Sequence, residues 1–148
     1  MDSSKRSTYF EFFNEIGIIA QLSRAMMESR MPDGLTVPHF SVLNHLVRLG
    51  DGRTPLQIAR AFQVPKTSMT NTLAGLERRA LIDMRPNAQD GRSKQVWLTE
   101  KGRQFRDEMI RSLDPDIHAL GDKLPVDDIA KLVPQLSEIR RILDAYRD

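Results

Sequence analysis

The sequence predicts a mainly α-helical protein that carries one small antiparallel β-hairpin. Apolar residues recur at steps of three and four over most of the 148 positions, which is the period of amphipathic helices. Two short stretches, LIDMRP at 81–86 and QVWLT at 95–99, alternate apolar and polar residues instead, as half-buried strands do. The segment NAQDGRSK between them consists largely of turn-forming residues, so the two strands should form a hairpin.

The N-terminal pattern predicts a long helix over residues 5–30. Its main apolar stripe includes Tyr9 and Ile16, but Phe10 and Ile18 lie outside that stripe. A helix that is apolar around so much of its circumference needs cover on two sides, and in a small domain the second side is often another subunit. The following segment, MPDGLTVP, ends this helix with two prolines and a glycine.

Two shorter helices are predicted next. The first covers residues 37–49 and ends at a GDG turn. The second covers about residues 54–61, where Thr54 and Gln57 fit a reciprocal capping box and Pro55 occupies the first helical position.

A further short helix is predicted to begin at Pro65. Residues spaced four, three and four apart should form its buried stripe: Met69, Leu73, Leu76 and Ala80. Its other face carries short hydroxyl side chains, an amide and flanking cations rather than the Glu–Lys pairs of an ordinary solvated helix. Two short helices joined by a tight turn indicate a helix-turn-helix, with an ordinary helical hairpin as the alternative.

A hairpin directly after a helix-turn-helix is the wing of a winged helix. After it, Thr99 should cap a long helix over residues 100–121, in which Pro115 should produce a bend. A last helix should start at Pro125, where Asp127 and Asp128 suit the helix dipole, and Pro134 is expected to kink it.

The predicted fold is therefore a winged helix-turn-helix with long N- and C-terminal helices. Residues 37–105 should form the winged helix-turn-helix lobe. Residues 1–36 and 106–148 should form a helical dimerisation region continuous with it, because the terminal helices carry more apolar surface than a monomer of this length could cover.

Composition excludes several kinds of site. The chain has no cysteine, which excludes disulfides and thiolate metal ligands. His39 and His45 are six positions apart, a poor spacing for one helix face, so neither a metal site nor a cofactor is predicted. No glycine-rich phosphate loop or nucleophile–base pair indicates an enzyme. No apolar run is long enough to cross a bilayer and the N-terminus lacks a signal-peptide pattern, so a cytoplasmic location is expected.

The charge of the chain is unevenly distributed. Residues 51–106 contain 11 Lys/Arg and 5 Asp/Glu, a net charge of +6, whereas the rest contains 11 and 15, a net charge of −4. A cationic middle segment in a chain whose remainder is net acidic favours a polyanionic partner, although a cationic surface without such a partner would give the same count.

Three segments in this order, TPLQIARAF, VPKTSMTNTLAGLERRALI and DGRSKQVWLTEKG, resemble the multiple-antibiotic-resistance regulator (MarR) family. The most specific match is the wing signature: Asp90, Arg92, Val96, Leu98, Thr99 and Gly102. The segment LERRALI at 76–82 matches the end of the family's recognition helix and the start of its wing strand. The flanking helices match in length and pattern.

The resemblance implies an obligate homodimer that binds pseudo-palindromic double-stranded DNA. The recognition helix would lie in the major groove, the wing would reach the adjacent minor groove, and the terminal helices of both chains would form the dimer. Many members repress transcription and release DNA when a small aromatic or amphipathic effector binds. The branch of the family that senses oxidants through cysteine does not apply to this chain, which has none.

The chain departs from the family pattern at two positions of the recognition helix. Pro65 begins the helix where members often carry Ser or Asp, so its N-terminus lacks a side-chain cap. Asn71 stands where many members carry Arg, so an operator sequence cannot be carried over from them.

The expected DNA contacts fall into three groups. At the wing tip, Arg92 should enter the narrow minor groove, and Asp90 should accept hydrogen bonds from Arg92 and fix its direction. The residues expected to face the major groove, where Asn pairs with adenine and Thr offers a methyl and a hydroxyl, are Thr67, Thr70 and Asn71. The residues expected to contact phosphates are Lys66, Ser68, Arg78 and Lys94.

Two further expectations concern aromatic residues. Trp97 should be structural, with its ring packed on the lobe and its indole N–H bonded to water or a carbonyl. The resemblance places an effector pocket among the first, second and fifth helices, where the candidate lining residues, each of which would also suit plain core, are Phe13, His39, Phe40 and Phe105. The alternative to DNA binding is a winged-helix module that recognises a protein.

Overall fold

The computed structural model of the chain describes residues 1–147, which fall into two units. The elements of the first unit, Met1–Ser112, are α1 (Ser3–Glu28), α2 (Val37–Leu49), α3 (Pro55–Phe62), α4 (Lys66–Arg78), β1 (Ile82–Pro86), β2 (Lys94–Leu98) and α5 (Glu100–Arg111). The second unit begins at Leu113 and contains α6 (Asp114–Leu120) and α7 (Val126–Tyr146). The predicted fold class, mainly α with one antiparallel hairpin, is confirmed.

The core of the first unit lies between α2, α3, α4 and the hairpin. Its buried residues include Met69, Leu73 and Leu76 of the stripe predicted for α4. The full set is Leu35 of the loop before α2, Val42, Leu43, Leu46, Ile58, Ala59, Met69, Leu73, Leu76, Leu81, Ile82 and Val96. Phe62, Met84, Leu98 and Phe105 pack against this cluster from its margin. The exposed face of α4 is therefore held from behind by a continuous apolar core.

Both α2 and α3 begin at capping boxes. Thr54 Oγ1 accepts from the Gln57 N–H at 3.2 Å, and Gln57 Oε1 accepts from the Thr54 N–H at 2.9 Å. At the start of α2 a histidine takes the place of Gln, since Nδ1 of His39 accepts from the Thr36 N–H at 2.9 Å. Each box satisfies backbone donors that the first helical turn leaves unpaired.

The turn between α3 and α4 is closed by Gln63 in the left-handed conformation, with φ of 53°. Gln63 and Val64 donate their N–H groups to the carbonyls of Arg60 and Ala59, both at 3.1 Å. This arrangement stops α3 within one residue and lets Pro65 start α4 at once. It produces the tight turn that the sequence predicts for a helix-turn-helix.

The C-terminus of α4 differs from the prediction at Ala80. The Ala80 N–H donates to Glu77 O at 2.9 Å and the Leu81 N–H to Leu76 O at 3.0 Å, a Schellman motif. Ala80 is left-handed, with φ of 58°, and its side chain is exposed. The prediction that Ala80 continues the buried stripe is wrong, because α4 has already ended and the chain turns at this residue.

The hairpin pairs β1 with β2 in the register Ile82↔Leu98, Met84↔Val96 and Pro86↔Lys94. The outer edge of β2 is also paired, which the sequence pattern does not indicate. The Val96 N–H donates to Arg53 O at 2.8 Å, and the Leu98 N–H donates to Asp51 Oδ1 at 2.7 Å. Arg53 thus pairs with Val96 in an isolated bridge beside the two-stranded sheet.

The long helix predicted over residues 100–121 is interrupted. α5 ends at Arg111, and α6 starts at Asp114 with Pro115 in its first turn. The prediction of one bent helix is therefore wrong at this point. Proline has no N–H to donate to the carbonyl four residues earlier, here that of Arg111, and it is tolerated in a first helical turn, where such donors are unpaired in any case.

The terminal helices expose their apolar residues. In α1 no residue is buried, and the rings of Tyr9 and Phe10 are 65% and 68% exposed. In α7, which contains Pro134, no residue is buried either, and Leu132 and Leu136 are both exposed. These faces are the surplus apolar surface that the sequence predicts.

Candidate nucleic-acid interface

The exposed face of α4 carries the residues that the sequence predicts to contact DNA. All of them are exposed: Lys66, Thr67, Ser68, Thr70, Asn71 and, in the last turn, Arg78. Met69, Leu73 and Leu76 hold the opposite face in the core. No acidic residue occurs in the first turn of α4, so its N-terminal end presents Lys66 and unpaired N–H groups. A positive helix end of this kind favours an anion such as phosphate.

The hydroxyl groups of this helix are not equivalent. Thr70 Oγ1 donates to Lys66 O at 2.9 Å, and Thr72 Oγ1 donates to Ser68 O at 3.1 Å. The Thr67 hydroxyl has no hydrogen-bond partner within the part of the chain that the structure describes. Thr67 and Thr70 are one helical turn apart and share the exposed face.

The tip of the wing is a self-bonded loop. Asp90 Oδ1 accepts from the Arg92 N–H at 3.0 Å, and Asp90 O accepts from the Ser93 N–H at 3.2 Å. Asn87 Nδ2 donates to Ser93 Oγ at 3.0 Å, which closes the base of the loop. These bonds fix the backbone at Arg92 before any partner binds, so little ordering entropy remains to be lost there.

Arg92 itself projects into solvent, with 98% of its side chain exposed. Its Nε lies 3.9 Å from Asp90 Oδ1, which is beyond hydrogen-bond distance. Asp90 accepts a hydrogen bond from Arg92 as expected, but from its backbone N–H, and its carboxylate forms only a long ion pair with the guanidinium. Asp90 thus fixes the backbone of Arg92, while nearly the whole side chain is exposed to solvent.

A groove of about 160 Å³ lies between α4 and the wing. Its lining residues are Pro55, Thr70, Leu73, Ala74, Glu77, Met84 and Lys94. The structure thus brings together two predicted DNA contacts, Thr70 of the recognition helix and Lys94 of the wing, in one concave surface. Glu77 adds one carboxylate to the same groove.

Trp97 is held in the solvent-facing layer of the hairpin. The Arg85 guanidinium lies 4.3 Å from the centroid of the indole ring, a cation–π contact. The indole Nε1 is buried and has no hydrogen-bond partner among the described residues, so the predicted carbonyl acceptor is not found. A structural role for Trp97 agrees with its half-buried ring, and Arg85 is a cation of the wing that the sequence analysis did not single out.

His39 connects the start of α2 with α4. Its Nδ1 accepts from Thr36, and its Nε2 lies so close to Gly75 that a Cβ there would be 2.7 Å away. Burial lowers the pKa of His39, and the positive charges of Arg79 and Arg78 lower it further. The His39 ring is therefore neutral at pH 7 and packs beneath the recognition helix.

The other candidate pocket residues have separate contacts. Phe105 packs on the margin of the core and Phe40 is half-buried. Phe13 is exposed on α1 and meets Phe12 edge to face at 5.2 Å between ring centroids. An effector pocket formed by Phe13, His39, Phe40 and Phe105 stays a prediction.

Two links that support the recognition helix carry no signal in the sequence. Arg79 donates to the carbonyl of Asp33 in the loop before α2. Arg106 of α5 donates through Nε and Nη2 to Asn44 Oδ1 of α2, at 3.2 and 3.0 Å. Both pairs are more than 40 residues apart in sequence, and single arginines on polar helix faces do not reveal such partners.

Residues 1–147 contain neither a metal-binding cluster nor a helix suited to cross a membrane. No group of three or more His, Cys, Asp or Glu side chains among residues 1–147 is placed to hold a metal ion. Within the same residues, no helix combines the length and the apolar character that crossing a membrane requires.

Comparison with known proteins matches residues 33–93 to the sequence model of the MarR family. The fold is similar to that of the transcriptional regulator BldR from Sulfolobus solfataricus, with a TM-score of 0.73, 22% identity, and coverage of 95% of this chain and 99% of that chain. It is similar to wild-type MarR in the apo form from Escherichia coli, with a TM-score of 0.72, 23% identity, and coverage of 85% and 93%. A mutant MarR from Escherichia coli complexed with operator DNA matches with a TM-score of 0.67, 21% identity, and coverage of 94% and 99%.

Proposed function

We propose that this chain is a regulator of the MarR family, which binds a pseudo-palindromic DNA operator as a homodimer and acts as an effector-responsive repressor. The observation that carries the proposal is the shared groove, in which Thr70 of the recognition helix and Lys94 of the wing line one concave surface. A DNA backbone that follows this groove would place α4 and the wing tip on either side of a phosphate strand.

The recognition helix supplies the contacts to the major groove. An α-helix fits the major groove of B-DNA, and its exposed short side chains allow a close approach of the helix backbone to the bases. Asn71 can pair with the N6 and N7 atoms of adenine, while Lys66, Ser68 and Arg78 bind phosphates and fix the register. The apolar core behind α4 keeps the helix rigid while these contacts form.

The wing supplies the contact to the minor groove. Arg92 stands at the tip of a loop whose backbone is held by Asp90, Asn87 and Ser93. A narrow minor groove concentrates negative potential and attracts an inserted guanidinium. Lys94 is the first residue of β2 after this loop, and from that position it can bind the adjoining phosphate strand.

The homodimer is proposed from the exposed apolar faces of the terminal helices. Burying apolar surface is worth about 25 cal/mol per Å², and α1 exposes Tyr9, Phe10 and Ile19 to solvent. A second copy of the chain is the partner that would cover these faces symmetrically. Two recognition helices related by a two-fold axis require an operator with two-fold symmetry.

The proposed effector is a small aromatic or amphipathic molecule. One candidate site is the set Phe13, His39, Phe40 and Phe105, and a second concave surface is the groove lined by Thr70 and Lys94. Binding at either place would change the relation of α4 to the DNA. Operator release in a screen of such molecules, without loss of the dimer, would support the repressor mechanism.

Selection of binding sites from random double-stranded DNA tests the proposed function. The full chain should enrich a two-fold symmetric sequence. Sedimentation should give the mass of two chains without DNA, and the mass of two chains plus one duplex with it. An excess of random duplex should compete only weakly with the enriched sequence. Failure to enrich any sequence, together with no retention on DNA or heparin resin, would favour a winged-helix module that recognises a protein.

A further inference from the structure

The donor capacity of Thr70 is already used within the recognition helix. A threonine hydroxyl has one proton, and that of Thr70 is donated to Lys66 O at 2.9 Å. Thr70 can therefore donate to no base or phosphate unless this bond is broken. What its side chain offers outward is a methyl group and the lone pairs of its oxygen.

Apolar side chains lie next to Thr70 in the groove between α4 and the wing. Thr70 lines the groove together with four apolar residues and two charged ones, which are Pro55, Leu73, Ala74, Met84, Glu77 and Lys94. Its side chain is nevertheless exposed on the face of α4 that carries Asn71. The methyl group of an exposed residue beside these apolar side chains is suited to contact another methyl group.

Thr67 provides the contrast. It lies one turn earlier on the same face, and its hydroxyl donates to no group in residues 1–147. The two threonines therefore present different chemistry to the same partner. Thr67 presents a free donor, whereas Thr70 presents a methyl group.

We propose that Thr70 acts as an apolar specificity residue, whose methyl group contacts the C5-methyl of one thymine in each operator half-site. This inference rests on the proposed DNA binding and deepens it. The major-groove edge of thymine is the one that carries a methyl group, so such a contact selects thymine over cytosine by packing and not by a hydrogen bond. Thr67 uses its hydroxyl as a donor to the same DNA.

The test replaces each thymine of the enriched operator by deoxyuridine, which removes only the C5-methyl group, at equivalent positions in both half-sites. The affinity ratio between the two DNAs is measured for the wild type, T70V, T70S and T67V. Valine keeps the methyl group and the β-branched shape of threonine, and serine keeps the hydroxyl.

At one thymine position the wild type and T70V should bind the thymine operator more tightly than the deoxyuridine operator, by about four-fold for each methyl contact. T70S should lose this preference. T67V should weaken binding to both DNAs by the same factor, which separates a lost hydrogen bond from a lost methyl contact. Circular dichroism of each variant confirms that α4 is intact.

Three results would overturn the inference. The first is a thymine preference that T70S retains and T70V loses, which would show that the preference depends on the hydroxyl group of Thr70 and not on its methyl group. The second is the absence of any position at which the effect of deoxyuridine depends on Thr70. The third is a wild-type chain that enriches no DNA, which would remove the proposed function and this inference with it.

Discussion

Ala80 occupies a backbone position that normally belongs to glycine. It is the left-handed residue of the Schellman motif that ends α4, with φ of 58°. A side chain in this conformation costs about 1 kcal/mol, because its Cβ crowds the following carbonyl oxygen. The strained residue lies in the short link between α4 and β1.

Replacing Ala80 by glycine should therefore stabilise the protein. The expected gain in the free energy of unfolding is about 0.5–1 kcal/mol, less the entropy that glycine adds to the unfolded chain. Urea unfolding of A80G measures this gain. The matched control is A74G, in the interior of the same helix, which should lose about 1 kcal/mol. Equal losses in both variants would contradict the role assigned to the left-handed conformation.

Two histidines make the folded state sensitive to acid. Burial is the main cause that lowers the pKa of both His39 and His45, and neighbouring arginines lower both further. The folded state therefore prefers the neutral rings. The contribution to stability is complete above the unfolded pKa of about 6.5, and it is lost as pH falls from there through the lower folded pKa values.

The free energy of unfolding should accordingly fall as the pH is lowered below about 6.5. H39Q should remove part of this fall, because glutamine can accept from the Thr36 N–H as Gln57 does at the other capping box. Chemical unfolding at a series of pH values measures the effect. An unchanged pH profile in H39Q would show that protonation of His39 does not matter for stability.

The junction between the wing and α5 requires two backbone segments to lie very close together. Thr99 Oγ1 donates to Ala80 O at 2.7 Å and accepts from the Gly102 N–H at 2.9 Å. A Cβ on Gly102 would lie 2.0 Å from the carbonyl oxygen of Leu81. The first turn of α5 therefore lies against the backbone that leads into β1, which explains the glycine of the wing signature.

Replacing Gly102 by alanine should force the two backbones apart. We expect a loss of about 1–3 kcal/mol, the usual cost of overpacking, measured as a lower thermal unfolding midpoint. The matched control is G91A at the wing tip, where a Cβ would meet no atom within 4 Å. G91A should be close to neutral for stability. A G102A protein as stable as G91A would contradict the tight joint.

Local patterns predicted the elements well where one signal dominated. α2 has the predicted bounds, and the capping residues of α3 and α5 are Thr54 and Thr99 as predicted. The pattern failed where two signals competed. The apolar period continued through Ala80 and through residues 112–114, but the chain reversed at the first and Pro115 interrupted the helix at the second.

The candidate site was predicted less completely than the elements. Residue type and resemblance identified the exposed residues of α4 and Arg92, because polar residues on a helix opposite a buried stripe must face outward. The hydrogen bond that the Thr70 hydroxyl donates to Lys66 depends on a side-chain rotamer. The Arg106–Asn44 link depends on contact between distant segments. Neither interaction produces a periodic pattern of residues from which it could be predicted.

At the scale of the whole molecule, charge and apolar surface occupy different parts of the chain. The cationic segment 51–106, with a net charge of +6, contains the recognition helix and the wing. The exposed apolar residues concentrate in α1 and α7, outside that segment. Such a separation suits a protein that assembles through its terminal helices and binds a polyanion through its middle.

The salt dependence of operator binding, compared between the wild type and R92A, tests the central claim most directly. A plot of log K against log salt should fall with a slope of about −0.9 for each phosphate charge neutralised. R92A should weaken binding by about ten-fold or more and make the slope shallower by about two, since a dimer loses one cation from each wing. Sedimentation should show that the R92A dimer is intact. A wild-type affinity that does not change with salt, or an R92A protein that binds as tightly as the wild type, would contradict the account.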